Sequence, residues 1–256
     1  MTFVSMRRRR AALASAAALA LLAACTSVPR EGADIAASPW ARQSGQAQAP
    51  HAAWTHQAFP GKRPTEFRPA RIDGRDAVAA RAEASASMLR QKVRVEPQHL
   101  GGLHFSWRVP ALIAGADIAL RDQDDAPVRV VLAFDGDRRR LSQRDAALSE
   151  LARAITGEDM PYATLMYVWS GTRAAGTVLA SPRTDRIRRL VVESGAGRLD
   201  RWLDYERDIR ADYEHAFGEP PGALIGIAVM TDSDNTGART HAWYGPVRLL
   251  PTLAKR

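Results

Sequence analysis

Leu103-His104-Phe105-Ser106-Trp107-Arg108-Val109 alternates apolar and polar side chains with period two, and Pro110 ends the run. In a strand successive side chains point to opposite faces, so this segment reads as a half-buried β-strand with Leu103, Phe105, Trp107 and Val109 inward. The same reading extends outward along the chain. Ala77 to Glu83 follows the turn Asp73-Gly74-Arg75, and Lys92 to Glu96 alternates in the same way. Val128 to Phe134, ending at Asp135-Gly136, and Ala163 to Trp169 are fuller apolar runs that also read as strands. Gly176 to Ala180, Ile187 to Glu193, Leu224 to Met230 and Ala242 to Leu249 complete the set, with Gly, Pro or Asp at most breaks. Short strands at short spacing predict an antiparallel β-sandwich rather than a βαβ array.

Two helices interrupt the strands. Ser142 is placed to cap a helix in which Leu148, Leu151, Ala152 and Ile155 fall on one stripe, and Gly157 suits its end. The second runs from Asp208 to Phe217 and stops at Gly218, with Pro220 and Pro221 beyond.

The beginning of the chain reads as an address. Arg7 to Arg10 form a positive region, Ala11 to Leu22 a short apolar one, and Leu22-Ala23-Ala24-Cys25 resembles a bacterial lipobox. Residues 1–24 are thus expected to be a lipoprotein signal peptide and Cys25, the sole cysteine, the acylated residue. Acyl chains on Cys25 would hold the protein to a lipid bilayer, and by resemblance to Gram-negative sorting the expected location is the periplasmic face of the outer membrane. Residues 25–53 read as lipidated Cys and flexible tether, and residues 54–256 as a single β-sandwich domain. Over 256 residues the net charge is +8, but without the four arginines of residues 1–24 it falls to +4, with 32 bases against 28 acids. That balance argues against a nucleic-acid binder. One cysteine excludes a disulfide framework within the chain.

An ordered series of motifs carries a resemblance. Phe59-Pro60-Gly61-Lys62, Phe105-Ser106-Trp107, Asp124-Asp125, Pro161-Tyr162-Ala163-Thr164-Leu165-Met166-Tyr167-Val168-Trp169, Glu206-Arg207-Asp208-Ile209 and Met230-Thr231-Asp232-Ser233-Asp234-Asn235-Thr236 together resemble a bacterial domain-of-unknown-function family, number 3047, over about residues 54–250. The resemblance implies an exported protein and brings no activity. In architecture the strand plan, closing on Ala242-Trp243-Tyr244-Gly245, is similar to the jelly rolls of carbohydrate-binding modules.

Asp232-Ser233-Asp234-Asn235-Thr236-Gly237 is the most chemical-looking stretch. As a phosphatase Asp-x-Asp-x-Thr loop it lacks room for the downstream Lys and acids. As an EF-hand it fails, because Trp243 stands where the bidentate Glu belongs. Three readings remain open: a calcium site using Asp232, Asp234 and Asn235; a structural loop whose Asx side chains bond their own backbone, with Gly237 at positive φ; and contact with a polar ligand. Asp122, Asp124 and Asp125 form a second acidic cluster that could meet the first at one rim. Arg129 interrupts an apolar strand and, if buried, needs a carboxylate, with Asp125 or Asp234 as candidates. Trp107, Trp169, Trp202, Trp243 and Tyr244 could stack on sugar rings, at most two of them exposed. No catalytic histidine pair, nucleophile elbow, Walker loop or dinucleotide fingerprint appears. The expected function is therefore non-catalytic binding of a glycan or other polar ligand by Asp125, Arg129, Trp169, Asp232, Asp234 and Asn235, with calcium as the one cofactor considered and no nucleotide cofactor. The alternatives are an envelope polysaccharide hydrolase or lyase using Asp232, Asp234 and Asp125, and a scaffold lipoprotein binding a protein partner.

Overall fold

A computed structural model describes residues 53–250. Residues 1–24, expected to be a signal peptide, Cys25 and nearly all of the expected tether lie outside the described residues. In chain order the strands are β1 (Thr55–Ala58), β2 (Glu66–Ile72), β3 (Arg75–Glu83), β4 (Ala86–Val95), β5 (Gly102–Arg108), β6 (Ala126–Phe134), β7 (Ala163–Ser170), β8 (Val178–Ala180), β9 (Ile187–Ser194), β10 (Trp202–Asp208), β11 (Leu224–Asp232), β12 (Arg239–Tyr244) and β13 (Arg248–Leu249). Helix α1 (Gln143–Thr156) joins β6 to β7 and α2 (Ile209–Phe217) joins β10 to β11.

The strands form two sheets. One has seven strands in the order β1-β4-β11-β6-β7-β9-β8, and the other has six, in the order β10-β5-β12-β3-β2 with β13 beside β5. All pairings are antiparallel except β7 with β9. The fold is the expected antiparallel, jelly-roll-like β-sandwich, and alternation within each strand decides which side chains fill it. Leu103, Phe105 and Trp107 of β5 meet Val128, Val130, Leu132 and Phe134 of β6 and Leu165, Tyr167 and Trp169 of β7 in one continuous core. A smaller cluster of Ile118, Ala126, Val168 and Val191 covers part of the opposite face of the seven-stranded sheet. No helix among the described residues is long and apolar enough to cross a membrane.

Three strands escaped the sequence pattern. β2 contains Pro69 and two arginines, tolerable because it sits at a sheet edge. β10 carries Asp204 and Glu206 on its solvent side, and β1 is only four residues long. The run expected from Ala242 to Leu249 breaks into β12 and β13 at Gly245-Pro246-Val247, where Pro246 has no N–H for the ladder.

The helix caps are as expected. Ser142 Oγ accepts from Asp145 N at 3.0 Å, and Gly157 takes φ 76°. The stripe on α1 is not. Its buried residues are Asp145 and Ser149, while Leu151 and Ile155 are 57% and 59% exposed. The polar side faces inward because it meets polar groups: Asp145 accepts from Thr184, and Ser149 from Arg138. With Leu151 and Ile155 exposed and Leu148 and Ala152 only partly buried, α1 depends heavily on its cap. Ser142→Ala is expected to cost about 1 kcal/mol, read as a lower urea midpoint with unchanged slope.

Candidate functional site: a groove on the seven-stranded sheet

The alternation that sends Leu89, Val130, Val229 and Leu165 into the core sends their neighbours Met88, Val131, Ala133, Met166, Ala228 and Met230 to the other face. There they floor a groove of about 510 Å³. Its walls come from Phe59, Pro60 and Lys62 after β1, from Ala152 to Pro161 at the end of α1, and from Ser181 and Arg183 between β8 and β9. The floor is aliphatic and thioether, with charged pairs at its margins.

At one margin Arg129 is 3% exposed. Its Nε donates to Asp232 Oδ1 at 2.8 Å and its Nη2 to Asp232 Oδ2 at 2.9 Å, a bidentate pair. Nη2 also reaches Asp124, through the carbonyl oxygen at 2.9 Å and Oδ1 at 3.2 Å. The sequence pointed to Asp125 or Asp234 as the partner of Arg129; the residues that fill this role are Asp232 and Asp124, their chain neighbours. A second arginine, Arg189 of β9, joins the group with Nη1 2.5 Å from Asp124 Oδ2 and Nη2 donating to Ala180 O at 2.6 Å. Tyr244 Oη accepts from Arg129 N at 3.2 Å and donates to Met230 O at 2.5 Å, pinning the strand beneath.

Burial pushes the Asp232 carboxyl up to about 6, opposed by Arg129 and reinforced by Asp125 and Asp124. Arg129 is held protonated by the same carboxylates, so the pair is ionic at neutral pH. The folded pKa of Asp232 lies above its unfolded value of roughly 3.9. Its contribution to stability is therefore fully present below about pH 4 and is lost as pH rises toward 6. Asp232→Asn should flatten that part of the stability–pH curve, and carboxyl NMR of the unaltered protein should show a midpoint near 6. At the opposite margin Arg90 and Lys92 hold Glu158 down to about 2 through hydrogen bonds at 2.9 Å and 2.6 Å.

The two acidic clusters do meet. Oxygens of Asp125, Asp232 and Asp234 lie within 4.8 Å of one another. Their lone pairs are engaged, however. Asp125 accepts from Asn235 N and Nδ2 at 3.2 and 3.0 Å, and from Thr236 N and Oγ1 at 2.7 and 2.6 Å. Asp234 pairs with Lys62. Carboxylate oxygens of Asp232 and Asp234 thus face Arg129 and Lys62, and Asn235 Nδ2 donates to Asp124 O at 3.1 Å and to Asp125 Oδ1 at 3.0 Å. The loop is tied to the preceding acidic segment, not to its own backbone as an Asx turn would be, though Gly237 does take φ 68°. Millimolar calcium or a chelator should accordingly leave Tm unchanged, and a calcium-dependent rise would mean that the ion displaces these cations.

Trp169 requires a correction. It is 1% exposed, sits in the inter-sheet core and donates Nε1 to Gly195 O at 2.9 Å, so no ring face is open to a ligand. Trp202 and Trp243 are the partly exposed tryptophans among the five aromatics considered, on the other sheet, with Arg75 and Arg108 over their rings. Sequence reading missed Lys62, Arg189 and the methionines of the floor. Arg189 had a signal, since it interrupts an apolar strand as Arg129 does.

Fold and groove together define a two-sheet β-sandwich domain with a ligand-sized cleft on one outer face. The chain belongs to the DUF3047 family, described as a protein of unknown function, whose profile matches residues 52–248. Comparison with curated proteins finds no match. Among solved structures, the chain is similar to the xyloglucanase domain of NopAA, a type three effector from Sinorhizobium fredii in complex with cellobiose. The identity is 10% over 78% of this chain and 93% of that one, with a TM-score of 0.39. It is also similar to the family 11 xylanase from Neocallimastix patriciarum, at 8% identity over 78% and 100% of the two chains and a TM-score of 0.34.

Proposed function

We propose that this domain is a non-catalytic binding module for a glycan, carried by a lipoprotein anchored through Cys25 at the periplasmic face of the outer membrane. The observation that carries the binding reading is the groove: an aliphatic floor of Met88, Val131, Ala133, Met166 and Met230 between margins of arginine–carboxylate pairs. Sugars present apolar C–H faces and hydroxyl edges, and this lining offers a surface for each. A hydrolase reading draws on the close carboxylates and on Asp232, pushed up to about 6. Against it, both Asp232 oxygens are held by Arg129, whereas a general acid needs a proton free to reach the leaving oxygen.

The test is an oligosaccharide panel with the full chain and with Ala133→Trp, which fills the groove from a partly exposed floor position. Binding by the parent, its loss in the variant at an unchanged Tm, and no new reducing ends support the module. Binding that survives Ala133→Trp contradicts it. The anchor is tested separately: labelled palmitate should enter the parent and not Cys25→Ser.

A further inference from the structure

The groove floor is a trough of small and flexible aliphatic side chains. Across its middle Ala228 of β11, Val131 of β6 and Met166 of β7 stand side by side in register. The row on one side pairs Met88 with Met230, and the row on the other pairs Gly226 with Ala133. Strand spacing and rise make this floor about 10 Å across and about 13 Å along the strands. Phe59, on a wall, is the one aromatic residue in the lining, whereas all four methionines of the described residues belong to it. A rigid sugar ring is matched by a flat aromatic face; a flexible chain is matched by methionine, which is unbranched and adapts its shape. The apolar surface also continues past the wall. Ile155 of α1, 59% exposed, is an i,i+3 neighbour of Ala152, which lines the groove, and Leu151, 57% exposed, is an i,i+4 neighbour of Ile155. The lining as a whole holds five arginine or lysine side chains and five aspartate or glutamate side chains, so it offers no net charge to an occupant.

We infer that the occupant of the groove is a neutral glycolipid, its acyl chain lying on the methionine and valine floor and its uncharged sugar headgroup hydrogen-bonded to the arginine–carboxylate margins. This rests on the glycan reading above and deepens it, giving the floor to a chain and the margins to the sugar. An aliphatic chain on this floor gains from leaving water in proportion to the area it buries. A charged headgroup would be desolvated against a lining of balanced charge with no counter-ion to answer it. Sugar hydroxyls both donate and accept, and so can meet the arginine and the carboxylate edges alike. The exposed side chains of α1 give a longer chain an apolar path out of the groove.

The experiment is calorimetry on the full chain with methyl, butyl, hexyl and octyl glucosides and maltosides below their micellar concentrations, beside the sugar-free alcohols of the same chain lengths and the oligosaccharide panel. Affinity for the glycosides should rise about two- to fourfold per methylene, so that octyl exceeds methyl by at least about a hundredfold. The alcohols should bind at least about tenfold more weakly than the glycosides of equal chain length, and added salt should change neither result. Ala133→Trp, checked by its Tm, should remove the dependence on chain length. Met166→Gln, a milder change at a partly exposed floor position, should weaken octyl binding several-fold and leave methyl binding unchanged. Oligosaccharide binding with no gain from the alkyl chain, or a gain untouched by both variants, overturns the glycolipid and leaves the glycan reading standing. Alcohols that bind as tightly as the glycosides, or binding of none of these probes, overturn both.

Discussion

Arg129→Met is expected to lower stability by about 3–5 kcal/mol, because it strands the Asp232 carboxylate in a buried site without its counter-ion. Asp232 would keep one hydrogen bond, from Ala126 N at 3.2 Å, beside Asp125 and Asp234. A domain of this size has a total stability of roughly 5–15 kcal/mol, so the loss is a large fraction. Urea unfolding reads it directly. The companion variant Arg129→Met/Asp232→Leu removes both charges and should recover most of the loss, since replacing a whole buried pair by apolar groups is often near neutral. If the single variant loses less than about 1 kcal/mol, the pair is not the closed, desolvated unit described here.

Phe105→Ala should cost about 3–5 kcal/mol. Phe105 is fully buried on β5 and is the point at which the two sheets grip each other. Its ring stacks on Tyr167 of β7 at 5.5 Å and 12°, and lies 5.2 Å from Tyr205 and 5.1 Å from Trp107. Truncation removes the ring contacts and leaves a cavity that β-sheet neighbours close only in part. Tyr167 also donates to Asp212 at 2.8 Å, so its displacement would loosen α2 as well. Phe67→Ala, on the edge strand β2 and partly exposed, provides the contrast and should cost clearly less. The measurement is the urea midpoint of each, with near-UV circular dichroism reporting the loosened aromatic cluster.

Much of this architecture was legible because alternation is written residue by residue. The segment around Phe105 assigned its own faces, and Val128 to Phe134 announced a strand by its apolar run. Arg129 announced an ion pair by interrupting that run. What stayed hidden depends on distance along the chain. No local pattern tells that Arg189, some sixty residues beyond Arg129, would share Asp124 with it. Nor does one tell that Lys62 would reach Asp234. The stripe on α1 misled for a related reason. Amphipathic spacing says which residues share a face, and only Thr184 and Arg138, brought in by tertiary structure, decide that the polar face turns inward. Trp169 misled because a tryptophan near a strand end reads equally well as core or as a sugar platform.

The central claim is that the outer face of the seven-stranded sheet is where this protein meets its ligand. Four of the six methionines, Met88, Met160, Met166 and Met230, line that groove. Methyl-labelled methionine therefore makes an NMR probe confined largely to the site. Titration with the oligosaccharide that binds best should move these four methyl signals saturably and with one common Kd. Binding that leaves all four in place, while the indole signals of Trp202 and Trp243 on the other sheet shift instead, would contradict the account.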